Sequence, residues 1–99
     1  MIEDDEAYNA ARVVKALSHP LRLQLISALD GEELSLVELS NITEENAMII
    51  SQQLRILRDE EIVQRRSIDN NPYYRVEQSD RLRSIISTLL TISSKIKYS

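Results

Sequence analysis

Gln52 carries a side-chain amide that both donates and accepts hydrogen bonds, the pattern that matches the N6 and N7 edge of adenine. It sits in Asn46-Ala-Met-Ile-Ile-Ser-Gln-Gln-Leu-Arg-Ile-Leu-Arg58, where helical spacing puts Ile50, Leu54 and Leu57 on one side and Met48, Ser51, Gln52, Arg55 and Asp59 on the other. An apolar stripe facing a core therefore leaves a polar side for a partner. Asn46 and Ala47 lie at the start of that side, Gln53 at its edge. Beyond it, Arg65 and Arg66 alternate in facing on a predicted strand, so one of them points outward, where a guanidinium can pair with phosphate. Together Asn46, Ala47, Met48, Ser51, Gln52, Gln53, Arg55, Arg65 and Arg66 form a candidate DNA-binding set. Each has a plainer role open to it: a solvated helix side, packing for Gln53, a solvated hairpin for the two wing arginines, and pairing of Arg55 or Arg58 with Asp59 or Glu61.

The elements that must hold these residues follow from local signals. Val63-Gln-Arg-Arg-Ser-Ile68 and Tyr73-Tyr-Arg-Val76 flank a turn-prone Asp69-Asn-Asn-Pro72, which predicts a hairpin over 62–76 with Tyr73 and Tyr74 as anchors. A first helix from about Asp5 to Leu17 sets Ala7, Tyr8, Ala11 and Val14 on one stripe. Ser18-His19-Pro20 interrupts it; Pro20 suits the first turn of a second helix that ends near Asp30-Gly31, and His19 is a helix-boundary residue with no chemistry. Ser35-Leu-Val-Glu38 is a capping box opening a short third helix to about Asn41; Thr43 and Asn46 are equally good caps for the fourth, and Asn46 is preferred because the earlier start leaves almost no turn. From Ser79 to about Lys97 a last helix aligns Leu82, Ile85, Ile86, Leu89 and Ile96, with basic Lys95 and Lys97 in its final turn. The expectation is a single domain over 1–99, mainly α with a small β-hairpin, in the order α-α-α-α-β-β-α of a winged helix-turn-helix. Residues 35–60 are the helix-turn-helix and 62–76 the wing, while 1–18 and 79–98 are dimerisation helices, with Tyr8, Leu82, Ile85, Ile86 and Leu89 at the interface.

Composition limits what else the chain can be. At 99 residues core burial is modest, so a subunit interface adds useful apolar cover. There is no cysteine, which removes disulfides, thiolate metal sites and cysteine nucleophiles. No nucleophile–base pair, phosphate loop or metal cluster can be assembled, so an enzyme is not expected and neither is a cofactor. No apolar run is long enough for a bilayer, and the acidic start Met-Ile-Glu-Asp-Asp-Glu6, a solvated end, is unlike a signal peptide, which leads to a cytoplasmic protein with no membrane partner. The net charge of -4 is unlike that of a basic DNA-binding domain, but it is uneven. Residues 1–45 hold ten acids against three bases, 46–75 five arginines against four acids, and 76–99 four bases against two acids. Binding to DNA should therefore salt off easily.

Lys15-Ala-Leu-Ser-His-Pro-Leu-Arg-Leu-Gln-Leu-Ile26, Leu36-Val-Glu-Leu39, Ser51-Gln-Gln-Leu-Arg-Ile-Leu-Arg58, Ile62-Val63 and Tyr73-Tyr-Arg-Val76, in that order and spacing, resemble the ArsR/SmtB family of winged helix-turn-helix transcriptional regulators over roughly residues 10–90. The resemblance implies a dimeric, repressor-like protein that reads double-stranded DNA with its third and fourth helices, touches it with the wing and pairs subunits through its first and last helices. Where metal-sensing members carry cysteines in the third helix this chain has Ser35 and Val37, and its last helix has Asp80 but no histidine, so both metal sites are expected to be missing. Glu44 stands where a glycine is common before the recognition helix, and Met48 where a polar residue is usual, which suits a thymine methyl. The leading expectation is a sequence-specific, homodimeric transcriptional regulator that does not sense metal, its effector unassigned. The alternative, favoured by the acidity, Glu44, Glu45 and Met48, is a winged-helix protein-protein interaction module with weak or no DNA binding.

Overall fold

Pro20 has no N–H to leave unpaired, and it opens the second helix at the position where that group would have had no partner anyway. His19 caps the same helix, its Nδ1 accepting from the Leu21 N–H at 3.2 Å. Ser35 and Glu38 close the predicted capping box: the Glu38 N–H donates to Ser35 Oγ at 3.1 Å and the Ser35 N–H to Glu38 Oε1 at 3.0 Å. A computed structural model, which describes residues 1–77, 82–88 and 91, places these signals in the order α1 (Asp4–Leu17), α2 (Pro20–Ala28), β1 (Leu34–Ser35), α3 (Leu36–Thr43), α4 (Ala47–Asp59), β2 (Val63–Ile68), β3 (Asn71–Val76) and a further helix, α5, over 82–88.

The third helix and the sheet differ from the sequence expectation. The third helix runs to Thr43, whose Oγ1 donates to the Leu39 carbonyl at 2.8 Å, rather than stopping near Asn41. The strand β1 has no counterpart in the predicted elements. Two residues are too few to show an alternating pattern, and Ser35 reads first as a helix cap. In the fold Ser35 does both, pairing with Tyr73 while it caps α3, and the sheet becomes three-stranded and antiparallel in the order β1-β3-β2.

The core is a single cluster in which Leu17, Leu25, Ile26, Leu29, Leu39, Ile50, Leu54, Leu57 and Ile62 are almost wholly shielded from solvent. Each such side chain contributes about 1.5–3 kcal/mol relative to exposure. Tyr74 is buried from the sheet side and Tyr73 only half-buried, so the pair divides inward and outward as its adjacency requires. From α1, only Ala16 and Leu17 are buried, with Val13 partly so; Tyr8, Ala11 and Val14 stay in solvent. Along α5, Ile86 is 8% exposed and belongs to the chain's own core, with Leu82 packed beside it, whereas Ile85 is 43% exposed. Of the residues assigned to a subunit interface, Ile86 is thus already covered within one chain, while Tyr8 and Ile85 remain open. Leu89 lies outside the described residues, as do Leu90, Ile92, Ser93, Ile96 and the two terminal lysines.

Candidate nucleic-acid interface

The fourth helix begins where Asn46 predicts. Asn46 Oδ1 accepts from the Met48 N–H at 2.7 Å, and the Asn46 N–H donates to Glu45 Oε1 at 3.2 Å. The turn leading to it is fixed on Ser40, whose Oγ donates to the Glu45 carbonyl at 2.6 Å while its own carbonyl accepts from the Glu44 and Glu45 N–H groups. Glu44 holds a left-handed backbone with φ 56°, the conformation for which glycine has no steric cost. Glu61 does the same after α4 at φ 59°, in a closing turn where the Ile62 N–H donates to the Leu57 carbonyl and Glu61 N–H to that of Arg58, both at 2.9 Å.

Those two strained glutamates support a prediction. Glu44→Gly and Glu61→Gly should each stabilise the fold by about 1 kcal/mol, a rise in melting temperature of roughly 4–8 °C for a domain of this size. Only the first lies beside the start of α4, so only it should also tighten a DNA complex formed through α4. Equal effects of both on DNA affinity would argue against that placement.

With Ile50, Leu54 and Leu57 wholly buried, α4 is locked in rotation, and Ala47, Met48, Ser51, Gln52 and Arg55 are all exposed, Met48 to 70%. Arg55 and Arg58 make no ion pair among the described residues, so the expected competition from Asp59 or Glu61 does not materialise there. Gln53 is different. Its Oε1 is shut off from solvent and meets no donor among the described residues, and the side chain is half-buried at the stripe's edge.

At the wing, Asp69 and Asn70 both have positive φ, at 51° and 65°, and form a two-residue loop whose flanking pair is Ile68 and Asn71. Such a loop matches the twist of the strands it joins. Pro72 is therefore in β3 rather than in the turn. It sits opposite Ser67, one residue past the end of β1, where the missing N–H interrupts no ladder bond. Arg65 is exposed and opposite Tyr74. Arg66, opposite Tyr73, is not a free cation: its Nε and Nη2 donate to the two carboxylate oxygens of Glu33 at 2.7 and 2.5 Å. The hydrogen bonds from Arg66 hold the Glu33 carboxyl below the usual carboxylate range and raise the guanidinium in turn. No local pattern in the sequence marks this pair, whose members are 33 positions apart. A second exposed pair, Arg12 to Glu60 at 3.1 Å, joins α1 to the end of α4.

Nothing in this arrangement resembles a catalytic centre. Among the described residues no three His, Asp or Glu side chains converge as a metal site would require, and no helix is long and apolar enough to cross a membrane. What the geometry offers is a helix with one exposed polar side beside a two-stranded wing, the arrangement of a winged helix-turn-helix.

Comparison with known proteins agrees. The family model described as bacterial regulatory protein, arsR family, matches residues 19–65. A transcriptional repressor SmtB homolog from Synechocystis is 39% identical over 70 residues, which is 71% of this chain and 53% of that protein, so the chain spans about half the length of this relative. The biofilm growth-associated repressor of Xylella fastidiosa is 33% identical over 89 residues, 90% of this chain and 77% of the repressor. Among solved structures, HlyU from Vibrio cholerae superposes with a TM-score of 0.85 at 28% identity, covering 91% of this chain and 97% of HlyU. With the matching fold, these likenesses show that the chain belongs to the ArsR family of bacterial regulatory proteins.

Proposed function

We propose that this protein is a sequence-specific DNA-binding regulator that acts as a homodimer, with α4 as the recognition helix and Arg65 as the wing's phosphate-contacting residue. The observation that carries the reading is the exposure of Ala47, Met48, Ser51, Gln52 and Arg55 on a helix whose opposite side is wholly buried. Membership of a family of regulators, two of whose relatives are named repressors, supports the same reading. Residues 1–99 act in it as one unit, 35–60 as the helix-turn-helix and 62–76 as the wing. Without cysteine the chain has no soft thiolate ligands, so control by a thiolate metal site has no place in this mechanism.

Dimerisation is proposed from the open apolar residues: Tyr8 at 66% exposure and Val14 on α1, with Ile85 on α5. In a two-fold dimer the recognition helices would sit about one turn of DNA apart, roughly 34 Å, and enter successive major grooves. The test is binding of the purified protein to duplex DNA over a range of salt concentrations. Retention at low salt that falls with added salt is expected, and Arg65→Ala should lower the slope of log affinity against log salt by about 1 for each phosphate that Arg65 neutralises. No retention of the wild-type chain at low salt would favour the other reading, a winged-helix protein-binding module. For that reading the exposed Met48 and the acidic Glu44 and Glu45 are the supporting features.

A further inference from the structure

We propose that Glu33 is a positioning residue for the wing, gripping Arg66 so as to set the angle at which Arg65 and the Asp69-Asn70 tip are presented beside the recognition helix. The proposal rests on the DNA-binding reading above and adds a role to a residue outside both the helix-turn-helix and the hairpin. Glu33 immediately precedes β1, Arg66 is on β2, and the strand order is β1-β3-β2. The two-pronged contact therefore passes over the central strand and joins the two outer strands of the sheet. It does so on a diagonal: Arg66 is level with Tyr73 and Ser35, whereas Glu33 is two residues before Ser35, on the side of Arg75 and Gln64. Arg75, also on β3, adds a second positive charge that favours ionised Glu33.

Three features favour a fastening over a phosphate contact for Arg66. The Nε–Nη2 edge of Arg66, one of the two edges by which a guanidinium can grip phosphate, is taken by Glu33 in fork geometry, which fixes direction as well as distance. Arg66 and Glu33 also line the open cleft between the sheet and α5, together with Arg75, Ser84 and Ser87, and no α4 residue is among its walls. The outer strand β2, finally, has among the described residues only β3 as a strand neighbour, so the rest of the domain restrains its twist less than that of β3. An exposed pair changes global stability little, so its consequence is expected in the geometry of the wing rather than in the melting temperature.

The experiment uses the full chain and five variants: Glu33→Gln, Glu32→Gln as a control with the same change of charge, Arg66→Ala, Arg66→Glu, and the exchange Glu33→Arg with Arg66→Glu. Amide hydrogen exchange across β2 and β3 is read without DNA; affinity for duplex DNA is read by fluorescence anisotropy at several salt concentrations. Glu33→Gln should speed exchange in the wing and weaken DNA binding by about two- to fivefold, the size expected of an exposed ion pair. Removing a negative charge alone would act in the opposite direction, as Glu32→Gln should show. Arg66→Ala should weaken binding without flattening the salt slope, and the exchanged pair should recover both readouts relative to Arg66→Glu. If Glu33→Gln binds as tightly as Glu32→Gln, or the exchanged pair is no better than Arg66→Glu because phosphate itself needs the cation at 66, the positioning role is wrong. A wild-type chain that binds no DNA overturns the underlying reading and the role with it. Unchanged wing exchange in Glu33→Gln alongside intact DNA binding overturns the positioning role alone.

Discussion

Ile85→Glu is expected to give a folded but monomeric chain, whereas Ile86→Glu is expected not to fold. The two residues are adjacent on α5, and the difference arises from what each already touches. Ile86 is part of the core cluster, so a carboxylate there would be an unpaired charge in an apolar surrounding, costing several kcal/mol from a total stability of roughly 5–15 kcal/mol. Ile85 is open to solvent within one chain, and a glutamate there costs that chain little. In a subunit interface built on Ile85 and on Tyr8 and Val14 of α1, the same glutamate would be stripped of its hydration without finding a partner. Circular dichroism and sedimentation velocity at micromolar concentration separate the outcomes. A wild-type monomer, or an Ile85→Glu variant that still sediments as a dimer, would remove Ile85 from the interface.

The second large effect concerns base reading. Gln52→Ala should leave the fold intact, because Gln52 is exposed and alanine is a better helix former. It should nevertheless erase discrimination at one base pair of each half-site, since a bidentate glutamine–adenine pair is worth about 1–3 kcal/mol. After the preferred duplex has been selected from random sequence, affinities for its single-position variants give the comparison. Wild-type affinity should fall about 5- to 150-fold when the adenine is replaced, and Gln52→Ala should bind all four variants alike at that position. Gln53→Ala serves as the contrast: its amide oxygen is shielded from solvent, so it should alter stability without altering the preference. If Gln52→Ala keeps the wild-type ranking of sequences, base reading is carried by Ser51, Met48 or Arg55 instead.

The features that could be read from the sequence are those governed by neighbours within one turn of helix. Asn46 as the cap of α4, the Ser35–Glu38 box, Pro20 after His19, and the division of α4 into buried and open sides all depend on spacings of two to four residues. The two-residue β1 has no periodicity to detect. The Arg66–Glu33 contact depends on how three strands come together, and the sequence shows two arginines in a row with no mark on either. Ile85 and Ile86 share a broad apolar stripe, and such a stripe does not say which of its edges meets the chain's own core. Glu44 is legible as a departure from the family's glycine, but its left-handed backbone depends on how the chain turns between α3 and α4.

Ser35 and Tyr73 are paired across the sheet although 37 residues of chain lie between them, and that stretch holds α3, α4, β2 and the wing tip. The proposed recognition surface is thus a loop whose two ends are pinned side by side, with a helix cap at one end and, at the other, Tyr73 next to the buried Tyr74. Its two ends cannot separate without breaking that pairing, whereas the outer strand β2 keeps more freedom of twist. In the proposed dimer a signal would have a simpler coordinate available, the separation and tilt between the two copies of this surface, and a change of a few ångströms there would take both out of step with the pitch of the double helix.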